Sequence, residues 1–157
     1  MLRTLQAHEI WAQHGAWVTE HAPEFGPGTR ERFEMAAAVT AQQTQRAAGQ
    51  RAEIRQHLEA LLGGDGVLAL PTAPGPAPLL NTPQEELNAF RQGLLSLTCV
   101  AGLAGLPQVN LPIAAAEGCP VGLGLIGPPG SDEALLALTE ELMGILLPVA
   151  PGQRPHA

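Results

Sequence analysis

Three short apolar-rich runs between proline and glycine turns constrain the fold most. They are "VLAL" at 67–70, "PQVNLPI" at 107–113 and "VGLGLIG" at 121–127. Runs of this length between turn signals are typical of strands, and the uninterrupted "VLAL" predicts a strand buried on both faces. The short "AAAEGCP" predicts a hairpin-like connection between the other two. Three strands are few for a free-standing sheet that is covered on both faces.

The amino-terminal part of the chain predicts two helices. Apolar positions between residue 2 and about residue 19 follow a loose helical pattern, which "HAPEFGPG" at 21–28 interrupts. The Ala-, Gln- and Glu-rich segment 30–62 predicts one long helix, with Thr29 as its N-cap and "GGDG" after its end.

Two more helices are predicted in the carboxy-terminal part. The first covers 84–105, with Thr82 as N-cap and Pro83 at the first helical position. The second covers 131–147, capped by Ser131. Leucines at helical spacing predict the buried stripe of this last helix: Leu135, Leu138, Leu142 and Leu146. Helices interspersed with three strands indicate an α/β class with a small sheet.

The charge balance excludes some partners. The net charge is -7, and every one of the eight basic residues is arginine, so the chain contains no lysine. Because this composition provides no basic stripe, we expect no nucleic-acid partner. No apolar run is long enough to cross a bilayer, so no membrane partner is expected. Cys99 and Cys119 lack metal-ligand spacing and predict reduced core or near-core thiols of a cytoplasmic protein.

The stretch "GLGLIG" at 122–127 satisfies the G-x-G-x-x-G fingerprint of dinucleotide-binding turns. That fold needs a helix that starts within the glycines and an acidic residue about 20 positions further on. Here the glycines lie inside a strand-like run, prolines precede the helix, and the distant position is apolar. We therefore predict that Gly122, Gly124 and Gly127 allow close packing, that no cofactor binds, and that titration with NAD or ATP gives no signal.

Candidates for catalysis and metal binding are sparse. The five histidines include no pair three or four residues apart on one helix face, so no metal site is predicted. Neighbouring carboxylates such as Glu85 and Glu86 are typical of a solvated helix face. The two serines are Ser96, which has no base nearby in the sequence, and the predicted cap Ser131. No catalytic residue is assigned.

Three motifs in order resemble the carboxy-terminal third of the amidase signature family. They are "DGVLALPTAPGPAP", "AGLAGLPQVNLPI" and "GCPVGLGLIGPPGSDEALLAL". Upstream, "HEIWAQHGAWVTEHAPEFGPGTRERF" is similar to the branch that contains indole-3-acetamide hydrolases. The resemblance covers about residues 2–148, which we expect to form the carboxy-terminal portion of an amidase domain, with 149–157 as a flexible tail.

The resemblance implies a partial amidase-signature fold, with helices packed on a small mixed sheet of about three strands. It also implies an amide hydrolase with a Ser, cis-Ser, Lys triad, and no residue of this chain matches that triad because lysine is absent. In the family, the helix before "GLPQ" borders the substrate channel. Phe90, Leu94 and Thr98 are therefore candidates for lining this channel, with core packing as the other explanation.

Two functions follow as expectations. The first is a carboxy-terminal amidase fragment that is inactive alone and whose partner is the missing amino-terminal amidase portion. The second is a non-catalytic amidase-like scaffold or interaction module, which binds a partner or another copy of itself through an open sheet edge.

Overall fold

The computed structural model describes residues 1–26 and 28–146. Within them lie five helices and three strands, which confirms the predicted α/β class with a small three-stranded sheet. The elements in chain order are α1 Leu2–His21, α2 Thr29–Ala37, α3 Ala41–Leu62, β1 Leu68–Pro71, α4 Gln84–Ala104, β2 Gln108–Ala116, β3 Cys119–Ile126 and α5 Asp132–Leu146. The predicted tail, 149–157, and Leu147 at the end of the last predicted helix lie outside the described residues.

The chain divides into two compact units, Met1–Gln56 and the part from His57 onward, and the boundary lies within α3. In the first unit α1 packs on α2. The break predicted after α1 is confirmed: Ala22 takes a left-handed conformation, and its N–H donates to Val18 O at 3.0 Å. Aromatic rings follow this break, with Phe25 stacked on Phe33 at a centroid distance of 4.6 Å.

The single long helix predicted for 30–62 is wrong, because α2 and α3 are separate helices. Thr40 precedes α3, and its backbone N–H donates to Gln43 Oε1 at 2.9 Å while Gln43 N–H donates to Thr40 Oγ1 at 3.3 Å. This reciprocal pair is a capping box, which starts a new helix inside a sequence of high helix propensity. Thr29 is the first residue of α2 rather than its cap, a position that Gly28 takes with φ 81°.

Removing this cap is expected to weaken the first unit. Thr40→Ala abolishes the hydroxyl that satisfies Gln43 N–H, and we expect it to lower the free energy of unfolding by about 1 kcal/mol. Urea denaturation followed by circular dichroism measures this. Thr40→Ser keeps the hydroxyl and should lose much less; equal losses in the two variants would contradict the capping role.

The sheet lies in the second unit, with the strand order β1-β3-β2. Both pairings are antiparallel, so the expected mixed sheet is wrong in that detail. The hairpin between β2 and β3 is confirmed, and Glu117 and Gly118 turn the chain with positive φ. The prediction that "VLAL" is buried on both faces is wrong: β1 is an outer strand whose residues alternate between half-buried and exposed. Its position at the end of the strand order leaves one edge without a partner strand among the described residues.

One face of the sheet carries a hydrophobic core cluster. Leu111 of β2, Leu125 of β3 and Leu135 of α5 form a buried cluster, and α5 packs on β2. In the predicted stripe of α5, Leu135 is buried, and Leu138 and Leu142 are partly buried against the cluster. The prediction that Leu146 belongs to the buried stripe is wrong, because this residue is 50% exposed.

The helix starts in this unit differ from the predictions. Pro83 precedes α4 and no side-chain capping bond is present there, so Thr82 is not the N-cap. Ser131 does precede α5, and its carbonyl accepts the N–H of Leu135 at 2.8 Å. Its hydroxyl, however, donates back to Pro128 O at 2.8 Å instead of accepting from a helix amide. The Ser131 side chain therefore fixes the "PPG" turn before α5.

Candidate functional site

The three candidate channel residues lie along α4. Phe90 and Leu94 are half-buried, whereas Thr98 is exposed and its hydroxyl donates to Leu94 O at 2.9 Å. The loop after β1 approaches the same helix, because a Cβ added at Gly93 would lie 2.9 Å from Pro74 Cγ. This loop and α4 are thus in close contact, and the assignment of the three residues to a substrate channel stays a prediction.

The glycines of the "GLGLIG" run serve close packing, as predicted. A Cβ at Gly127 would collide with Ser131 Oγ and would lie 3.1 Å from both Cγ and Cδ1 of Leu135. Gly122 and Gly124 lie on β3 at the centre of the sheet, where side chains from β2 and from the residue after β1 occupy the space above them. The predicted packing role of these glycines is confirmed.

Three polar side chains occupy the space above Gly122 and Gly124. They are Thr72, which directly follows β1, and Gln108 and Asn110 on β2. The pairing of Leu70 and Asn110 with Gly124 places these side chains on the face of the sheet opposite the Leu111 cluster. We call these three residues the polar patch. Sequence reasoning missed it, although polar residues two apart in "QVN" indicate a shared strand face.

Neither Ser96 nor Ser131 is positioned to act as a nucleophile. The Ser96 hydroxyl donates to Gln92 O at 2.9 Å, and the Ser131 hydroxyl donates to Pro128 O. A reactive serine needs a base within hydrogen-bond reach. Neither hydroxyl bonds to a histidine or carboxylate in the part of the chain that the structure describes. These serines provide no catalytic pair.

The two cysteines are free and differ in exposure. Cys99 is half-buried on α4, and its thiol lies 3.7 Å from Ser96 O, which fits the predicted near-core position. Cys119 is exposed at the start of β3, so the prediction of a core or near-core thiol is wrong there. The hairpin turn puts this end of the strand beyond the packed face.

The other surface features of the described residues provide no further candidate site. A shallow concave surface lies along α5 and is lined by apolar and acidic residues: Ala134, Ala137, Leu138, Glu140 and Glu141. Residues 1–26 and 28–146 do not gather three or more His, Cys, Asp or Glu side chains into a group that could hold a metal ion. Nor does any helix among them combine the length and apolar character needed to cross a bilayer.

Comparison with known proteins assigns the family. The model of the family described as Amidase matches residues 12–136 of this chain. The chain belongs to the amidase family. Amidase 1 of Arabidopsis thaliana is 39% identical over 145 residues, which are 92% of this chain and 34% of that protein. A solved crystal structure of an amidase superposes with a TM-score of 0.75 at 33% identity and covers 92% of this chain and 34% of that one.

A further relative has a name that is not an enzyme name. Outer envelope protein 64, chloroplastic, of Arabidopsis thaliana is 29% identical over 136 residues, which are 87% of this amidase-family chain and 23% of that protein. The chain therefore spans about a third or less of the length of these relatives. The predicted resemblance to the amidase family is confirmed, whereas the assignment to the indole-3-acetamide hydrolase branch stays a prediction.

Proposed function

We propose that this chain is the carboxy-terminal portion of an amidase that hydrolyses C–N amide bonds, and that it is inactive by itself. One observation carries the proposal: a chain that belongs to the family and spans 92% of its own length against Amidase 1 contains no lysine. The family's Ser, cis-Ser, Lys triad needs a lysine to accept the proton of the nucleophile through the bridging serine. A separate portion of the enzyme must then supply the lysine.

The sheet supports assembly with such a portion. In the order β1-β3-β2, the outer strands β1 and β2 each have one edge that no other strand of the described residues pairs. Unpaired N–H and C=O groups along a strand edge are templates for another strand. We propose that the amino-terminal amidase portion pairs with these edges, and that Phe90, Leu94 and Thr98 then border the substrate channel.

The test uses the DNA directly upstream of the Met1 codon. Translated in all three frames, it should encode a lysine and a Gly/Ser-rich signature; unrelated sequence there sinks the proposal. The chain and the upstream product are then purified separately and together and assayed for ammonia release from indole-3-acetamide. We expect no turnover by the chain alone.

The assembled pair should gain at least about 1,000-fold over the separate pieces, since intact hydrolase triads contribute on the order of a millionfold. The matched control replaces the upstream lysine by methionine and should return the pair to background. Turnover by the purified chain alone would overturn the assignment of an inactive portion.

A scaffold function is the second candidate. It is favoured by the similarity to a relative that is named an outer envelope protein rather than an enzyme. In this case the chain binds a protein partner or a second copy through the same sheet edges, without hydrolysis. Size-exclusion chromatography with light scattering separates the outcomes: a stable monomer that retains no partner on co-purification counts against the scaffold. A cytoplasmic location belongs to both proposals and is supported by the two free cysteines.

A further inference from the structure

The polar patch brings together side chains of β2 and a side chain directly after β1, and these two strands are not neighbours in the sheet. β3 lies between β1 and β2, and two strand spacings separate the outer strands by about 10 Å. Even so, one Cβ added at Gly122 would collide with both Thr72 Oγ1 and Asn110 Oδ1. Because glycine leaves that volume empty, the two oxygens lean toward each other over the central strand.

The third member lies one pleat further along. A Cβ at Gly124 would lie 2.7 Å from Gln108 Nε2 and 3.0 Å from Thr72 Cγ2. The patch thus places two oxygens over Gly122 and an amide nitrogen over Gly124. Gln108 and Asn110 are exposed and Thr72 is half-buried, so a ligand can reach all three.

These groups match a carboxamide. A primary carboxamide presents two N–H donors and a carbonyl acceptor on one plane, and the patch offers acceptors beside a donor. Since side-chain amides carry both kinds of group, the match survives rotation of either amide. The three side chains are uncharged, so the patch lacks a cation, whose charge-assisted bonds would strengthen the binding of a carboxylate or phosphate.

We propose that Thr72, Gln108 and Asn110 form a binding site for the neutral carboxamide group of the amidase substrate, with the three residues acting as positioning residues. The proposal rests on the proposed function, which makes an amide the substrate. It adds the residues that hold the amide and the discrimination against the acid product, which is an anion. Gly122 and Gly124 are part of this binding site because any side chain there would fill the space between the three polar side chains.

The first experiment titrates the full 157-residue chain, labelled with nitrogen-15, with benzamide and separately with benzoate. With benzamide we expect saturable shifts of the side-chain amide signals of Gln108 and Asn110 and of the backbone signals of Gly122 and Gly124. Benzoate should leave them unchanged. Absent shifts with benzamide, or equal shifts with both compounds, would overturn the site.

Variants connect these shifts to the patch. Asn110→Leu keeps the size of the side chain but removes its hydrogen-bonding groups, and we expect benzamide to bind about tenfold more weakly. Gln13→Leu removes an exposed amide from α1 and should leave the affinity unchanged. Retained dispersion of the backbone signals shows that each variant is folded. An unchanged affinity in Asn110→Leu would refute the assignment.

Kinetic measurements on the chain assembled with the amino-terminal portion distinguish this inference from the proposed function. If the pair is active, Asn110→Leu should raise KM for the amide about tenfold with a smaller change in kcat. Activity with an unchanged KM would leave the proposed function standing and remove the site. Benzamide binding by the chain without any activity of the pair would retain the site and remove the proposed function.

Discussion

Replacing Leu111 with alanine is expected to lower the free energy of unfolding of the second unit by about 2–5 kcal/mol. Leu111 is 0% exposed and packs with Leu125 and Leu135, so its side chain joins the sheet to α5. Truncation loses the burial of the removed methyl groups and leaves a cavity. The surrounding hairpin limits relaxation because Leu111 is paired with Leu123 of β3. Urea denaturation with a probe of the second unit measures the loss.

Leu80→Ala is the matched control for this core position. It is the same chemical change in the same unit, but Leu80 is 108% exposed. Surface substitutions of this kind usually stay within about 0.5 kcal/mol of the parent. Similar losses in the two variants would show that the described packing of β2 against α5 does not provide the stability of this unit.

The sequence predicted local structure well where a strong signal ended each element. The hairpin was correctly predicted from two apolar-rich runs with a short connection, and α1 was correctly ended near "HAPEFGPG". The boundary between α2 and α3 was missed because the segment has high helix propensity throughout. The capping box between Thr40 and Gln43 is visible as T-x-x-Q in the sequence and would have given the boundary.

Features that depend on pairing between distant residues could not be read from the chain. Leu68 pairs with Ile126, and nothing local indicates that β1 joins β3 at the sheet edge rather than the centre. The polar patch has the same origin: Thr72 belongs to a proline-rich loop and Asn110 to a strand. Only the antiparallel register across Gly124 brings the two together. The resemblance to the amidase family, by contrast, could be recognised from the sequence because it depends on several local motifs that follow one another in a fixed order.

A methyl group added at Gly127 is expected to destabilise the second unit by about 1–3 kcal/mol, the usual result of overpacking. Gly127 follows β3 directly and is buried. In Gly127→Ala the Cβ would collide with Ser131 Oγ, whose hydroxyl holds the turn before α5, and it would press on Leu135 of the core. The backbone there cannot retreat freely because Gly127 N–H donates to Pro107 O at 3.2 Å. Thermal and urea denaturation give the loss.

Gly102→Ala makes the same change where the structure predicts the opposite sign. Gly102 lies inside α4, and a Cβ there would meet no atom within 4 Å. Alanine should therefore stabilise the helix by about 0.5–1 kcal/mol, because glycine loses more backbone entropy on folding. A stabilising Gly102→Ala with a destabilising Gly127→Ala assigns the difference to packing against Ser131 and Leu135. A neutral Gly127→Ala would mean that β3 and α5 have room between them, and the close packing inferred for the "GLGLIG" run would then be wrong.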